Sequence, residues 1–426
     1  MNQSVYGRLS GMMFLQYAVW GIWLPILARY LQASPADGGL GFTAGQVGWI
    51  LGLAGSVGAV SAPFIAGQLA DRLFSAQKFL AVLLLLGGVV KIVTAYQTSF
   101  AAWLLLSVVY SVLYMPTLSL TNSIAFAHLS DPDRQFPAVR VWGTIGWIAA
   151  SWAFPLFWLL SDVRLQALPP FYRGVEVAGV TGRLVDSLIA SGIVSILYAG
   201  YCFALPHTPP RPDAVEPLAF RKAFGLLRHR SFAVLVVASL LISVIHQVYF
   251  MQTAPFFSSL GLQDSQIGPA MTIGQFAEIA VMVAAGWLLS RFGFRWVITL
   301  GAFAYFLRYL VFGSAAGLPV WLVVGSQALH GLCYACFFAA AFIYVERIAE
   351  SDVRHSAQTV FGMTILGIGP VVAAPFVQFL EGRFGDPGGG FTDYSPLWYT
   401  TAAIGLVVAV LVATLFRDET QARAAS

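Results

Sequence analysis

Apolar residues run through this chain in long blocks separated by short polar turns. Twelve blocks can be marked, at roughly 9–31, 46–69, 79–97, 100–127, 138–160, 184–205, 231–257, 267–290, 296–314, 320–345, 357–380 and 396–416. At about 1.5 Å of rise per residue, a helix of about 20 residues crosses the ~30 Å hydrocarbon core of a bilayer. Lipid offers no partner for backbone N–H and C=O groups, so runs of this kind predict helices that satisfy themselves. The pattern therefore predicts an all-α polytopic membrane protein. Most turns are short, which makes sequential helices antiparallel neighbours; the longer connections are 161–183, 206–230 and 382–395. Thr43-Ala-Gly-Gln46 reads as a capping box that starts the second block.

Composition agrees. Of 426 residues, 58% are hydrophobic and 10% charged, against roughly 25% charged in soluble domains. The first block follows Met1–Arg8 directly and is too long for the apolar region of a cleavable signal, so no removed leader is expected. The net charge of +4 is too small to argue for nucleic acid. Its distribution is more telling: most lysines and arginines fall in the turns on the side of the N-terminus, and only Lys91 and Arg308 lie deep within blocks. The positive-inside rule then places both termini in the cytoplasm. Cys202, Cys333 and Cys336 all sit in apolar runs, and Cys333-Tyr-Ala-Cys336 reads as small residues packing in a helix. No metal site and no cofactor is expected.

The polar stretch 206–230 divides the chain into six blocks and six blocks, giving an expected N-terminal bundle (1–205), a cytoplasmic linker (206–230) and a C-terminal bundle (231–426). Each half repeats one device. After the second block comes Gly67-Gln68-Leu69-Ala70-Asp71-Arg72, and after the eighth comes Gly286-Trp287-Leu288-Leu289-Ser290-Arg291 with Gly293 and Arg295. The first resembles the loop signature of the major facilitator superfamily, with Gly67, Asp71 and Arg72 as its gating residues; the second is a degraded copy. The resemblance implies two pseudo-symmetric six-helix bundles and alternating access.

Polar side chains within apolar spans are costly and point to function. Arg140, Thr144 and Trp147 are spaced to share one helix face. Arg140 is expected about one turn into its helix, with Pro137 in the first turn, so an interfacial arginine reaching for water is the plainer alternative. Gly143 and Gly146 beside that face would admit a second helix closely. Gln275 and Glu278 share a face of the eighth block, and His330 and Tyr334 a face of the tenth. His246 and Gln247 lie in the seventh. Glu278 is the only carboxylate well inside a block and is the expected proton carrier, alone or tuned by Arg308 or Arg140. Rings, amides and a guanidinium suit a small, neutral, planar, hydroxylated ligand better than a polyanion.

Several stretches together resemble the bacterial nucleoside:proton symporter family within that superfamily. They are Phe14-Leu15-Gln16-Tyr17 with Trp20-Gly21-Ile22-Trp23, Tyr114-Met115-Pro116-Thr117 with Thr121-Asn122, and Phe136-Pro137 through Arg140-Val141-Trp142-Gly143-Thr144-Ile145-Gly146. Gln275 with Glu278, Arg308, and Ser356-Ala357-Gln358 also fit. The resemblance implies nucleoside contacts at Arg140, Thr144, Gln247, Gln275, Glu278 and Tyr334, with Trp147 and His330 completing the expected site, and proton coupling at Glu278. This chain departs from the family pattern at Trp147, Phe250, His330 and Ala335. An acid often follows the aromatic at 334, so Ala335 throws more of the coupling onto Glu278. The expected partners are nucleosides, protons and the lipid bilayer, with no nucleic acid, and the chain is expected to work as a monomer in the inner membrane. A sugar or aromatic-acid permease of the same fold and a non-transporting membrane receptor are the rival readings. No H-E-x-x-H, G-x-S-x-G or carboxylate pair supports an enzyme.

Overall fold

The computed structural model describes residues 3–65, 74–210, 225, 228–349 and 354–419. Gly67, Asp71 and Arg72 fall outside the described residues, as does most of the expected linker.

Among the described residues, ten helices are long and apolar enough to cross a membrane. They begin with span 1 (Gln3–Gln32), span 2 (Ala44–Pro63), span 3 (Ala76–Ala95) and span 4 (Phe100–His128). After a gap come span 6 (Val180–Ala204), span 7 (Arg230–Ser259), span 10 (Val320–Ile348), span 11 (Val360–Phe384) and span 12 (Ser395–Leu415). The tenth, Asp264–Gly313, is two spans in one. It breaks at Gly293, where φ is 71° and ψ 168°, a conformation that only glycine adopts readily; its halves are span 8 (264–292) and span 9 (294–313). A further helix, Pro132–Phe154, lies where the fifth apolar block falls and is labelled span 5.

Span 5 starts earlier than the sequence reading places it. Asp131 accepts from the Arg134 amide at 3.3 Å and Pro132 occupies the first position, both strong start signals. Pro137 is therefore interior, and Arg140 lies about two turns inside rather than one. The predicted capping box forms as read: the Gln46 amide donates to Thr43 Oγ1 at 3.1 Å, and the Thr43 amide to Gln46 Oε1 at 3.0 Å.

Proline removes a helical donor and frees the carbonyl four residues before it. Three of these carbonyls are recaptured by side chains. Pro25 frees Gly21, where span 1 breaks, and Ser151 donates to that oxygen at 2.9 Å. Pro255 frees Met251, which accepts from Gln32 at 3.2 Å. Pro269 frees Ser265, which accepts from the Tyr172 hydroxyl at 2.6 Å. Each recapture satisfies a buried backbone group and ties two segments together.

The connection after span 5, read from sequence as a plain loop, contains an antiparallel hairpin of β1 (Leu160–Leu165) and β2 (Tyr172–Glu176). Its register pairs Val163 with Gly174 and Leu165 with Tyr172. β1 is exposed beyond its first residue, so no hydrophobic alternation announces it. The hairpin is held by the start of span 8. Gln263 both accepts from and donates to the Gly174 backbone, at 3.1 and 2.8 Å, and the Ser265 amide donates to Glu176 at 2.8 Å. Burial, with Glu176 close by, pushes the pKa of the Tyr172 phenol above its ordinary value.

The chain groups into two compact units. One holds spans 1 to 6 together with residues 250–269; the other holds 167–171 and the remainder of spans 7 to 12.

Candidate functional site

In the first unit the chemistry gathers where span 5 lies on span 1. The two helices touch backbone to backbone. A Cβ on Gly146 would fall 2.2 Å from the Phe14 carbonyl oxygen, and one on Gly21 would fall 2.7 Å from that of Trp147. This approach puts the guanidinium of Arg140 over the Tyr17 ring, 4.2 Å from its centroid. Cation–π contact and the planar guanidinium suit that stacking, so Arg140 folds over span 1. Trp147 meets Trp20 edge to face at 5.8 Å, and Trp20 meets Tyr114 at 5.7 Å. Beneath them, Gln16 donates to Thr117 at 2.7 Å and the Tyr114 hydroxyl donates to the Gln16 carbonyl at 2.5 Å. Arg140, Thr144 and Trp147 remain half-buried, so the wall keeps a cation, a hydroxyl and an indole accessible over a buried base tied by the Gln16–Thr117 and Tyr114–Gln16 bonds.

Lys91 belongs to a different feature of this unit. It is 4% exposed, and its ammonium sits 3.3 Å from the Trp23 ring centroid and 3.8 Å from that of Tyr110. Two aromatic faces thus enclose the buried end of the Lys91 side chain.

In the second unit the polar residues line a seam of spans 7, 8, 9 and 10. Gly331 of span 10 packs on the backbone of Ala277 and Glu278, where a Cβ would fall 2.5 Å from the Ala277 carbonyl carbon, and Gly274 packs on the His330 side chain, 2.7 Å from its Cβ. Gln275, Glu278, His330 and Tyr334 are thereby brought to one seam. Span 7 joins through His246, whose ring stacks on that of His330 with centroids 5.5 Å apart. Gln247, Gln275, Glu278 and Tyr334 stay half-buried. His330 is only 2% exposed, so it supports the seam from within. Tyr334 falls in a π-helical turn, Cys333–Ala339, a distortion often found at functional sites because it re-aims the side chains that follow.

Arg308 organises the interior of this seam. It is fully buried, donates to Nδ1 of His330 at 2.6 Å and to the Tyr309 hydroxyl at 2.9 Å, and lies 4.5 Å from the Tyr249 ring centroid. Tyr309 passes the chain on to the Ile245 carbonyl at 2.8 Å, and Tyr305 pairs with Nδ1 of His246 at 2.8 Å. Sequence reading marked Arg308 and missed its cage. Tyr305, Arg308 and Tyr309 are spaced i, i+3, i+4, the pattern of one helix face, and that spacing was the available signal.

Comparison with known proteins follows the same lines. Residues 1–421 match the family described as Nucleoside H+ symporter. The putative nucleoside transporter YegT of Escherichia coli is 32% identical over 421 residues, covering 96% of this chain and 93% of that protein. The nucleoside permease NupG of E. coli is 26% identical over 434 residues, covering 96% and 95%. A crystal structure of the nucleoside transporter NupG superposes with a TM-score of 0.81 at 25% identity, covering 98% of this chain and all of that one. A D-xylose-proton symporter, at 14% identity and a TM-score of 0.67, shares the fold alone. With ten membrane-length helices among the described residues, the major facilitator fold and a family match running almost end to end, the chain belongs to the nucleoside:proton symporters.

Proposed function

We propose that this protein carries nucleosides into the cell together with protons, across the cytoplasmic membrane, by alternating access. The observation that carries the reading is the gathering of half-buried polar groups on two seams, in a chain otherwise built for lipid. On the first, Trp147 offers a ring face to a base, while Arg140 and Thr144 bond hydroxyls or ring edges. On the second, Gln247, Gln275 and Tyr334 supply amide and phenol contacts, with His330 holding the seam from inside.

Glu278 is proposed as the proton carrier. A protonated carboxyl is neutral and tolerates the loss of water; an ionised one does not without a partner. Loading from outside and release inside would couple ligand and proton to one conformational cycle. We take the working division as 1–205, 206–230 and 231–426, with Gly67, Asp71 and Arg72 at the cytoplasmic turn of the first half. Both termini face the cytoplasm, and one copy suffices.

The test is Glu278→Gln in proteoliposomes loaded to hold a pH gradient. The variant should lose gradient-driven accumulation of labelled uridine while keeping uridine exchange. Uphill uptake at the normal rate would remove Glu278 from the coupling. Competition by unlabelled nucleosides but not by sugars or aromatic acids is expected in the same assay.

A further inference from the structure

Spans 1, 5 and 6 of the first unit leave a groove of about 610 Å³ between them. It is separate from the Arg140 wall, and its lining is almost wholly apolar. Ala153 and Ala190 leave the space, Phe154 and Phe157 border it, and Phe157 is 85% exposed, so the groove opens sideways from the bundle. The volume falls within the ~300–1,000 Å³ usual for ligand sites.

One lining residue breaks the pattern. Asp186 is the single ionisable side chain there. One of its carboxylate oxygens accepts from Nε1 of Trp158 at 2.8 Å. Among the described residues it forms no ion pair. Half-buried in the first turn of its helix, the carboxylate keeps acceptor capacity for a further donor at the mouth of the groove. The complementary molecule has a hydrocarbon chain for the groove and an N–H-bearing cation for the acid. The surrounding bilayer supplies such a molecule by diffusion.

We propose that the groove binds an acyl chain of phosphatidylethanolamine, whose ammonium group donates to Asp186. A choline headgroup carries a positive charge but no N–H donor. A phosphatidylglycerol headgroup brings only negative charge to the carboxylate. The Trp158 indole fixes the carboxylate and covers the junction of head and tail, an amphipathic task suited to tryptophan. This site depends on the chain lying in a membrane and not on what it transports.

The test uses the full-length protein in detergent, titrated with phosphatidylethanolamine, phosphatidylcholine or phosphatidylglycerol of identical acyl chains while thermal unfolding is followed. Phosphatidylethanolamine should raise the midpoint at about tenfold lower concentration than phosphatidylcholine, the size expected of one charge-assisted hydrogen bond. Asp186→Asn should abolish the difference between the two, and Ala153→Phe, which fills the groove, should abolish the response to both. Equal responses in the unaltered protein, or a preference that survives Asp186→Asn, would overturn the proposal. A second measurement needs no stable Asp186 variant. Tail-brominated phosphatidylethanolamine should quench tryptophan fluorescence more in the unaltered protein than in Trp158→Phe. Equal quenching in the two would count against the site.

Discussion

Nδ1 of His330 lies 2.6 Å from a terminal guanidinium nitrogen of Arg308. Arginine has donors only, so this nitrogen of the ring must accept, and the proton sits on Nε2. His330 is thus a neutral acceptor inside the membrane, and the bond takes up part of the donor capacity of a fully buried cation. Its neighbours Tyr249, Tyr305 and Tyr309 turn ring faces or a hydroxyl to the same guanidinium.

Removing that acceptor should destabilise the second unit. His330→Leu keeps the bulk and leaves the Arg308 donor facing an apolar group, at a cost of about 1–3 kcal/mol. Thermal unfolding in detergent should show a clearly lowered midpoint. His330→Gln, which can accept through its amide oxygen, should recover part of it. An unchanged midpoint for His330→Leu would mean that Arg308 does not depend on the ring.

Arg140 makes a different prediction because its guanidinium is stacked on Tyr17, 4.2 Å from the ring centroid, rather than buried. Arg140→Lys keeps the charge and loses the planar fork and the stacking. Uridine uptake should show a KM raised about tenfold, with expression and melting close to normal, since one charge-assisted bond is worth about 1.5–3 kcal/mol. A normal KM with reduced expression would assign the residue to folding.

The contact between spans 1 and 5 rests on absent side chains. A Cβ at position 146 would overlap the Phe14 carbonyl at 2.2 Å. Backbone there cannot swing aside, so Gly146→Ala must part the two helices and carry Arg140 and Trp147 away from Tyr17 and Trp20. Uptake should fall at least tenfold by the loss of positioned contacts. Gly7→Ala, where nothing lies within 4 Å, should transport normally. Equal transport by both would show that the helices tolerate separation.

These residues also show what a sequence can and cannot disclose. The spans were legible because lipid imposes long apolar runs, and the Thr43–Gln46 cap because its partners lie three residues apart. The Arg140 face was legible from helical spacing. The start of span 5 lies ahead of its apolar block because the Asp131-Pro132 pair begins the helix within a polar stretch. The hairpin was not legible, since its strands are mostly exposed and its partners, Gln263 and Ser265, lie about 90 residues away. The same holds for proline-freed carbonyls: the sequence names Pro25, Pro255 and Pro269 but not the side chains that answer them. Local signals reveal elements, while long-range hydrogen bonds need the fold.

Arg29 and Asp264 supply the clearest of those long-range bonds. Nε of Arg29 donates to one carboxylate oxygen at 2.8 Å, and Thr181 donates to the other at 2.5 Å. Asp264 is 5% exposed and Arg29 20%, so solvent screens the pair weakly. The arrangement fastens the end of span 1 and the start of span 6 to the start of span 8, beside the Gln263 and Ser265 contacts with the hairpin. Asp264→Ala should be costly because it strands both a guanidinium and a hydroxyl, and Arg29→Met should be costly because it strands the carboxylate. The double variant leaves no unpaired charge, so it should melt above the sum expected from the two singles, with a coupling of about 1–3 kcal/mol. The readout is a four-way comparison of thermal unfolding in one detergent. Strictly additive losses would mean that the two side chains contribute independently and that the 2.8 Å contact adds little to the stability of the first unit.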